Sequence, residues 1–197
     1  MMTERRAERH RSTRETDVLV RIALEGGSPT VIATGVGFLD HMLASLALHS
    51  GFALEVKAKG DLQVDFHHTV EDVGLVLGEA FSQALGDRHG IERFGHAAVP
   101  MDESLATVAV DCSGRGFGLV EIAFLGESVG GIPTSLLTHF LEVFARSGQL
   151  TMHLSAHGRD NHHLAEAAFK ALARALRDAV RRDPVRSGDV SSTKGVL

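Results

Sequence analysis

The chain has 197 residues, 44% of them hydrophobic, enough to bury a sizeable core in one large domain or two small ones. A formal charge of −5 and the lack of Trp and Tyr argue against a general nucleic-acid binder, and no apolar run approaches the ~20 residues of a membrane span. A single cysteine, Cys112, permits no disulfide within the chain, so a soluble protein of the reducing cytoplasm is expected; twelve histidines are the compositional outlier.

Arg5, Arg6, Arg9, Arg11 and Arg14 share the first stretch with Glu4 and Glu8, and residues 1–14 are expected to form a flexible basic leader. Val18, Val20, Ile22 and Leu24 then alternate toward the Gly26-Gly27 break, which predicts a strand, and residues 30–34 are expected to complete a hairpin with it. In GFLDHMLASLALHSG, Leu39, Met42, Leu43 and Leu46 follow helical spacing up to Gly51, with His41 beside that stripe. Leu54, Val56 and Ala58 predict a strand leading to His67-His68-Thr69-Val70-Glu71. The helix expected from there carries Val70, Val73, Leu77, Ala80 and Phe81 on its buried side. Gly74 and Gly78 lie inside it at a cost of about 0.8–1 kcal/mol each relative to Ala, which points to close approach by another backbone or a ligand.

The second half repeats this order. Residues 105–110 and 119–124 are expected to form a hairpin around Ser113-Gly114-Arg115-Gly116, followed by a helix bearing Leu137, Phe140, Leu141 and Phe144. Those four lie 98 positions beyond Leu39, Met42, Leu43 and Leu46, and His139 lies 98 beyond His41. Leu150, Met152 and Leu154 alternate, and His162-His163-Leu164-Ala165-Glu166 opens the last helix, 95 positions beyond the first such stretch. The pattern predicts an α+β fold, an internally duplicated unit of hairpin, helix, strand and helix with sheets packed against helices. Residues 15–92 and 93–186 are the expected repeats.

In each His-His-x-x-Glu the Glu lies one helical turn beyond both histidines, whereas the histidines themselves point about 100° apart. Two ions, each taking one imidazole of a pair, suit that geometry better than one, and imidazole with carboxylate suits a divalent transition metal. Six imidazoles and two carboxylates divide into two sites of three His and one Glu. His10, His49, His89, His96, His153 and His157 have no repeating counterpart and stay outside the set.

From Arg14-Glu15-Thr16 to its end the chain resembles the imidazoleglycerol-phosphate dehydratase family of histidine biosynthesis. The resemblance runs through GFLDHM, HHTVEDVG, IERFG, VPMDESLA, DCSGR, HH-x-x-EAAFKALARAL and STKGVL. It implies a fused pair of repeats of the ribosomal protein S5 domain 2-like type, manganese as cofactor with two ions per active site, and a 24-mer with active sites between subunits. It implies that His41, His67, His68, Glu71, His139, His162, His163 and Glu166 are the metal ligands. Glu15 is then expected to work at the reacting carbons, with Glu71 and Glu166 also in the catalytic set. The resemblance further implies that Arg93, Arg115, Lys170, Ser192 and Lys194 hold the phosphate, with residues 187–197 closing over it. Ser45 stands where the family usually has Gln, Phe66 where a second Asp is usual, and Asp160-Asn161 where Asn and a small residue are usual.

The implied reaction is loss of water from D-erythro-imidazole-glycerol phosphate to give imidazole-acetol phosphate, with no redox cofactor. The carbon-bound proton is not acidic by itself, so an electron sink is needed. The substrate ring, held as an imidazolate between two cations, can serve. Six-coordinate manganese with four protein ligands leaves room for ring and water, unlike tetrahedral zinc. Two other classes share some of these features, a non-catalytic metal-binding assembly and a di-metal phosphate-ester hydrolase. The first has no use for Arg93, Arg115 and a Lys-bearing tail, and the second is usually richer in Asp. No nucleic-acid or membrane partner is expected.

Overall fold

A computed structural model of the chain describes residues 5–27, 30–183 and 192–193. The first half contributes β1 (Arg6–Ser12), β2 (Thr16–Ala23), β3 (Val31–Ala33), α1 (Gly37–Ser50), β4 (Ala53–Gly60) and α2 (His67–Leu85). The second contributes β5 (Phe94–Met101), β6 (Ser104–Asp111), β7 (Phe117–Ile122), the short strands β8 (Ser128–Val129) and β9 (Ile132–Pro133), α3 (Thr134–Ser147), β10 (Thr151–His157) and α4 (Asn161–Val180). The sheets run β1-β2-β4-β3 and β5-β6-β10-β7, the same arrangement twice, each with its last strand parallel to the third.

Alternation decides which sheet face is buried. Val18, Val20 and Ile22 of β2, Leu54 and Val56 of β4, Val108 and Val110 of β6, and Met152 and Leu154 of β10 all point inward. Four helices fill the space between, α2 against α3 and α1 against α4, so each helix pair joins one half of the chain to the other. The expected glycine contacts are present. A Cβ on Gly74 would lie 3.0 Å from Phe140 Cδ2, and one on Gly78 would lie 2.7 Å from the Phe144 carbonyl oxygen and the Gly148 nitrogen. Both are notches in α2 that admit α3.

The strands differ from expectation in two ways, β1 and β5 forming where no strand was expected and β3 and β7 taking other neighbours. The arginine-rich stretch expected to be a flexible leader forms β1 over Arg6–Ser12, pairing with β2 along its whole length. Its charge is no obstacle at a sheet edge, because acidic and basic partners meet there. Glu8 accepts from Arg21 Nε at 2.6 Å, His10 lies 3.2 Å from Asp17, and Arg11 lies 3.4 Å from Asp72. The hairpins are therefore β1–β2 and β5–β6. The segments expected to be second hairpin strands, β3 and β7, instead cross over through α1 and α3 to pair in parallel with β4 and β10. The apolar pattern of a strand fixes its buried face but not its neighbour.

Candidate metal centre

Each His pair sits at a helix start that local hydrogen bonding holds in place. The Asp160 carboxylate caps α4, accepting from the backbone N–H groups of His162 at 2.8 Å and His163 at 3.1 Å. Asp65 accepts from the His67 N–H at 2.7 Å. Ring planes within a pair stand almost perpendicular, 88° for His67 and His68 and 90° for His162 and His163, so the two members serve different neighbours.

The helix pairing then assembles two groups. His67 and Glu71 of α2 meet His139 of α3, and His162 and Glu166 of α4 meet His41 of α1; in each group one ligand atom per residue lies within 4.8 Å of the others. His139 Nε2 is 2.9 Å from Glu71 Oε1, and His162 Nε2 is 3.2 Å from Glu166 Oε2. Two imidazole nitrogens and a carboxylate oxygen at this spacing fit a divalent transition metal. Phe38 lies edge-on to His162, with ring centroids 5.3 Å apart, and helps fix that imidazole.

His68 and His163 turn away from these groups. His68 Nδ1 is 3.0 Å from Asp61, and His163 Nδ1 is 2.9 Å from Glu103. A carboxylate on Nδ1 fixes ring orientation and leaves Nε2 as the ligating atom. These bonds raise the proton affinity of both imidazoles, while Glu103 is pulled down to about 2, first by His163 and then by its own backbone N–H. The His139 bond lowers Glu71. Burial pushes Glu166 the other way, but the Lys170 bond and charge, with His41 and His162, outweigh it. Asp61 and Glu103 were not marked by sequence. In the structure the β5–β6 turn that bears Glu103 is the counterpart of the β1–β2 turn bearing Glu15.

Glu15 lies on that turn with Oε2 3.9 Å from His68 Nδ1. Its backbone is pinned on both sides, N–H to Thr13 Oγ1 at 3.1 Å and carbonyl to the Asp61 N–H at 3.1 Å. Lys170 Nζ is 2.8 Å from Glu166 Oε1 and 3.9 Å from Met101 Sδ, at the far end of β5. Arg93 and Arg115 both meet Asp111, and Arg93 adjoins the other end of β5. Seven residue steps at ~3.3 Å separate those ends by roughly 23 Å, so one chain does not gather the expected phosphate residues together. Ser192 is half-buried, and Lys194 lies outside the described residues. Among the departures, Ser45 is buried in α1, Phe66 packs against the core, and Asn161 Oδ1 accepts from the Leu125 N–H at 2.8 Å, tying α4 to the loop before β8. Among the described residues no helix is long and apolar enough to cross a membrane.

Fold and site define a class, an internally duplicated α+β protein with two imidazole–carboxylate centres, each built across the duplication. Residues 34–176 match the model of the family described as imidazoleglycerol-phosphate dehydratase. The chain belongs to that family. Proteins of that name from Gluconobacter oxydans (strain 621H) and Methanothermobacter thermautotrophicus are 50% and 51% identical to it, each over 100% of both chains. Crystal structures of the Staphylococcus aureus and Pyrococcus furiosus proteins superpose with a TM-score of 0.81 each. They are 36% and 38% identical and cover 90% and 96% of this chain, and 99% and 100% of their own.

Proposed function

We propose that the protein is a manganese-dependent hydro-lyase of L-histidine biosynthesis in the cytoplasm, converting D-erythro-imidazole-glycerol phosphate to imidazole-acetol phosphate and water. The observation that carries this reading is the pair of His/His/Glu groups in a chain of the dehydratase family. His41, His162 and Glu166 would hold one ion and His67, Glu71 and His139 the other. Two bound divalent cations supply positive charge against the negative charge that develops on the substrate ring. The protein residues do the rest. Glu15 handles the carbon-bound proton, Glu71 and Glu166 keep the centre's charge balanced, and Arg93, Arg115, Lys170, Ser192 and Lys194 hold the phosphate.

Two observations support assembly. His68 and His163 each have a carboxylate on Nδ1 and face away from the groups of their own chain. Arg93 and Lys170 stand a strand's length apart, too far to share one phosphate. A neighbouring copy would supply what each chain lacks, as in a 24-mer with active sites between subunits. Residues 1–14 would then serve through β1 rather than as a leader, residues 15–92 and 93–186 as the repeats, and residues 187–197 as the closing tail.

The test is metal content together with turnover of imidazole-glycerol phosphate, before and after chelation and again after manganese is restored. About two ions per chain, with turnover lost and recovered, is the expected result, since the ligand set provides two centres. Bound manganese without dehydration would overturn the reaction. Deleting residues 192–197 should raise KM about 10- to 150-fold, corresponding to one charge-assisted bond of roughly 1.5–3 kcal/mol, with manganese still bound. Unchanged kinetics would remove the tail from the site.

A further inference from the structure

The two imidazole–carboxylate groups are copies of one design, and the residue one turn beyond the glutamate is among the positions that separate them. Ninety-five residues before Glu166 stands Glu71, and the same step back from Lys170 reaches Leu75. On α4, Lys170 Nζ takes Glu166 Oε1 at 2.8 Å. Both imidazoles of that group are left with the other oxygen, His162 Nε2 at 3.2 Å and His41 Nε2 at 3.5 Å from Oε2. On α2 the two Glu71 oxygens remain with histidines, Oε1 2.9 Å from His139 Nε2 and Oε2 3.7 Å from His67 Nε2. Arg146 also faces Glu71, from an exposed position and without an ion pair to it. The Glu166 side chain is the more enclosed of the two, 13% exposed against 39% for Glu71.

We infer that the two centres are inequivalent: His67, Glu71 and His139 take a divalent cation first, and His41, His162 and Glu166 take it second and more weakly, because Lys170 occupies one carboxylate oxygen and sets a positive charge beside the incoming ion. The inference rests on the proposed reading of both groups as metal centres. Repulsion between the ammonium and a dication grows where water is partly excluded, as it is around Glu166. The ion must either displace Lys170 or accept a single oxygen. Partners in contact with a ligand typically change metal affinity by about 10- to 100-fold, and that is the separation expected here.

The experiment is equilibrium titration of the full-length, metal-free protein with manganese(II), reading free ion by its electron paramagnetic resonance signal. The wild type should show two classes of one ion per chain, about 10- to 100-fold apart. Lys170→Leu, which installs the residue of the other repeat, should draw the weaker class up to the stronger. Leu75→Lys, the reciprocal change at a half-buried position, should weaken the stronger class by a similar factor, so the inference stays testable if either variant fails to fold. Two equal classes in the wild type, or a separation that neither substitution moves, overturn the inference alone. Failure to take up any manganese overturns the metal-centre reading beneath it.

Discussion

Replacing Glu15 by Gln should lower kcat about 10²- to 10⁴-fold, the usual contribution of a positioned carboxylate to proton transfer, with manganese uptake unchanged. Glu15 is placed differently from its counterpart. Glu103, on the equivalent turn of the second repeat, is engaged with His163 at 2.9 Å. In the first repeat Asp61 takes that role for His68 at 3.0 Å, and Glu15 stands back at 3.9 Å with its carboxylate largely in solvent. A turn pinned at both the N–H and the carbonyl of Glu15 fixes the backbone from which that carboxylate extends toward His68. Gln preserves shape and removes the proton acceptor, so an ordinary surface residue would tolerate it. Wild-type kcat in Glu15→Gln would exclude Glu15 from the chemistry, whereas loss of manganese would make it a ligand-supporting residue instead.

Replacing Phe140 by Ala should destabilise the chain by about 3–5 kcal/mol, the cost of removing a fully buried aromatic ring. Phe140 is completely inaccessible, stacks on Phe169 with centroids 5.7 Å apart, and lies in the notch left by Gly74. The ring therefore joins α3 to both α2 and α4. It also follows His139 directly, so the cavity should loosen the His139–Glu71 contact. Urea denaturation at fixed protein concentration with a chelator present separates folding from metal binding. A change below about 1 kcal/mol would show that the helix interface collapses around the missing ring, contrary to the close packing described above.

The sequence made the helices legible, and with them the six residues that the structure gathers into two groups, for one reason, the duplication. A His at position 41 means little until position 139 repeats it, and His-His-x-x-Glu at 67 and 162 carries weight because it occurs twice. Gly74 and Gly78 were equally legible, since a helix interior tolerates two glycines only where something approaches. β1 was not legible, because Arg6–Ser12 offers no alternating apolar face and edge strands need none. Nor was the parallel pairing of β3 and β7, which depends on what α1 and α3 cover rather than on the strands' own residues. Asp61 and Glu103 escaped because they do not occupy matching positions in the two halves. The first repeat fills the role from the end of β4 and the second from a hairpin turn, so no periodicity exposes them.

The pairing of α1 with α4 and of α2 with α3 has a consequence for what half a chain could do. A single unit carries a complete His-His-Glu helix but not the facing histidine that closes its group, since His41 faces the second unit's helix and His139 the first's. Two separate copies would have to find each other before either could close a centre, and at low concentration most would stay open. Joining them in one polypeptide replaces that encounter with an intramolecular one, at effective concentrations on the order of millimolar for short linkers. The covalent link thus makes closure of each His/His/Glu group independent of how much protein is present.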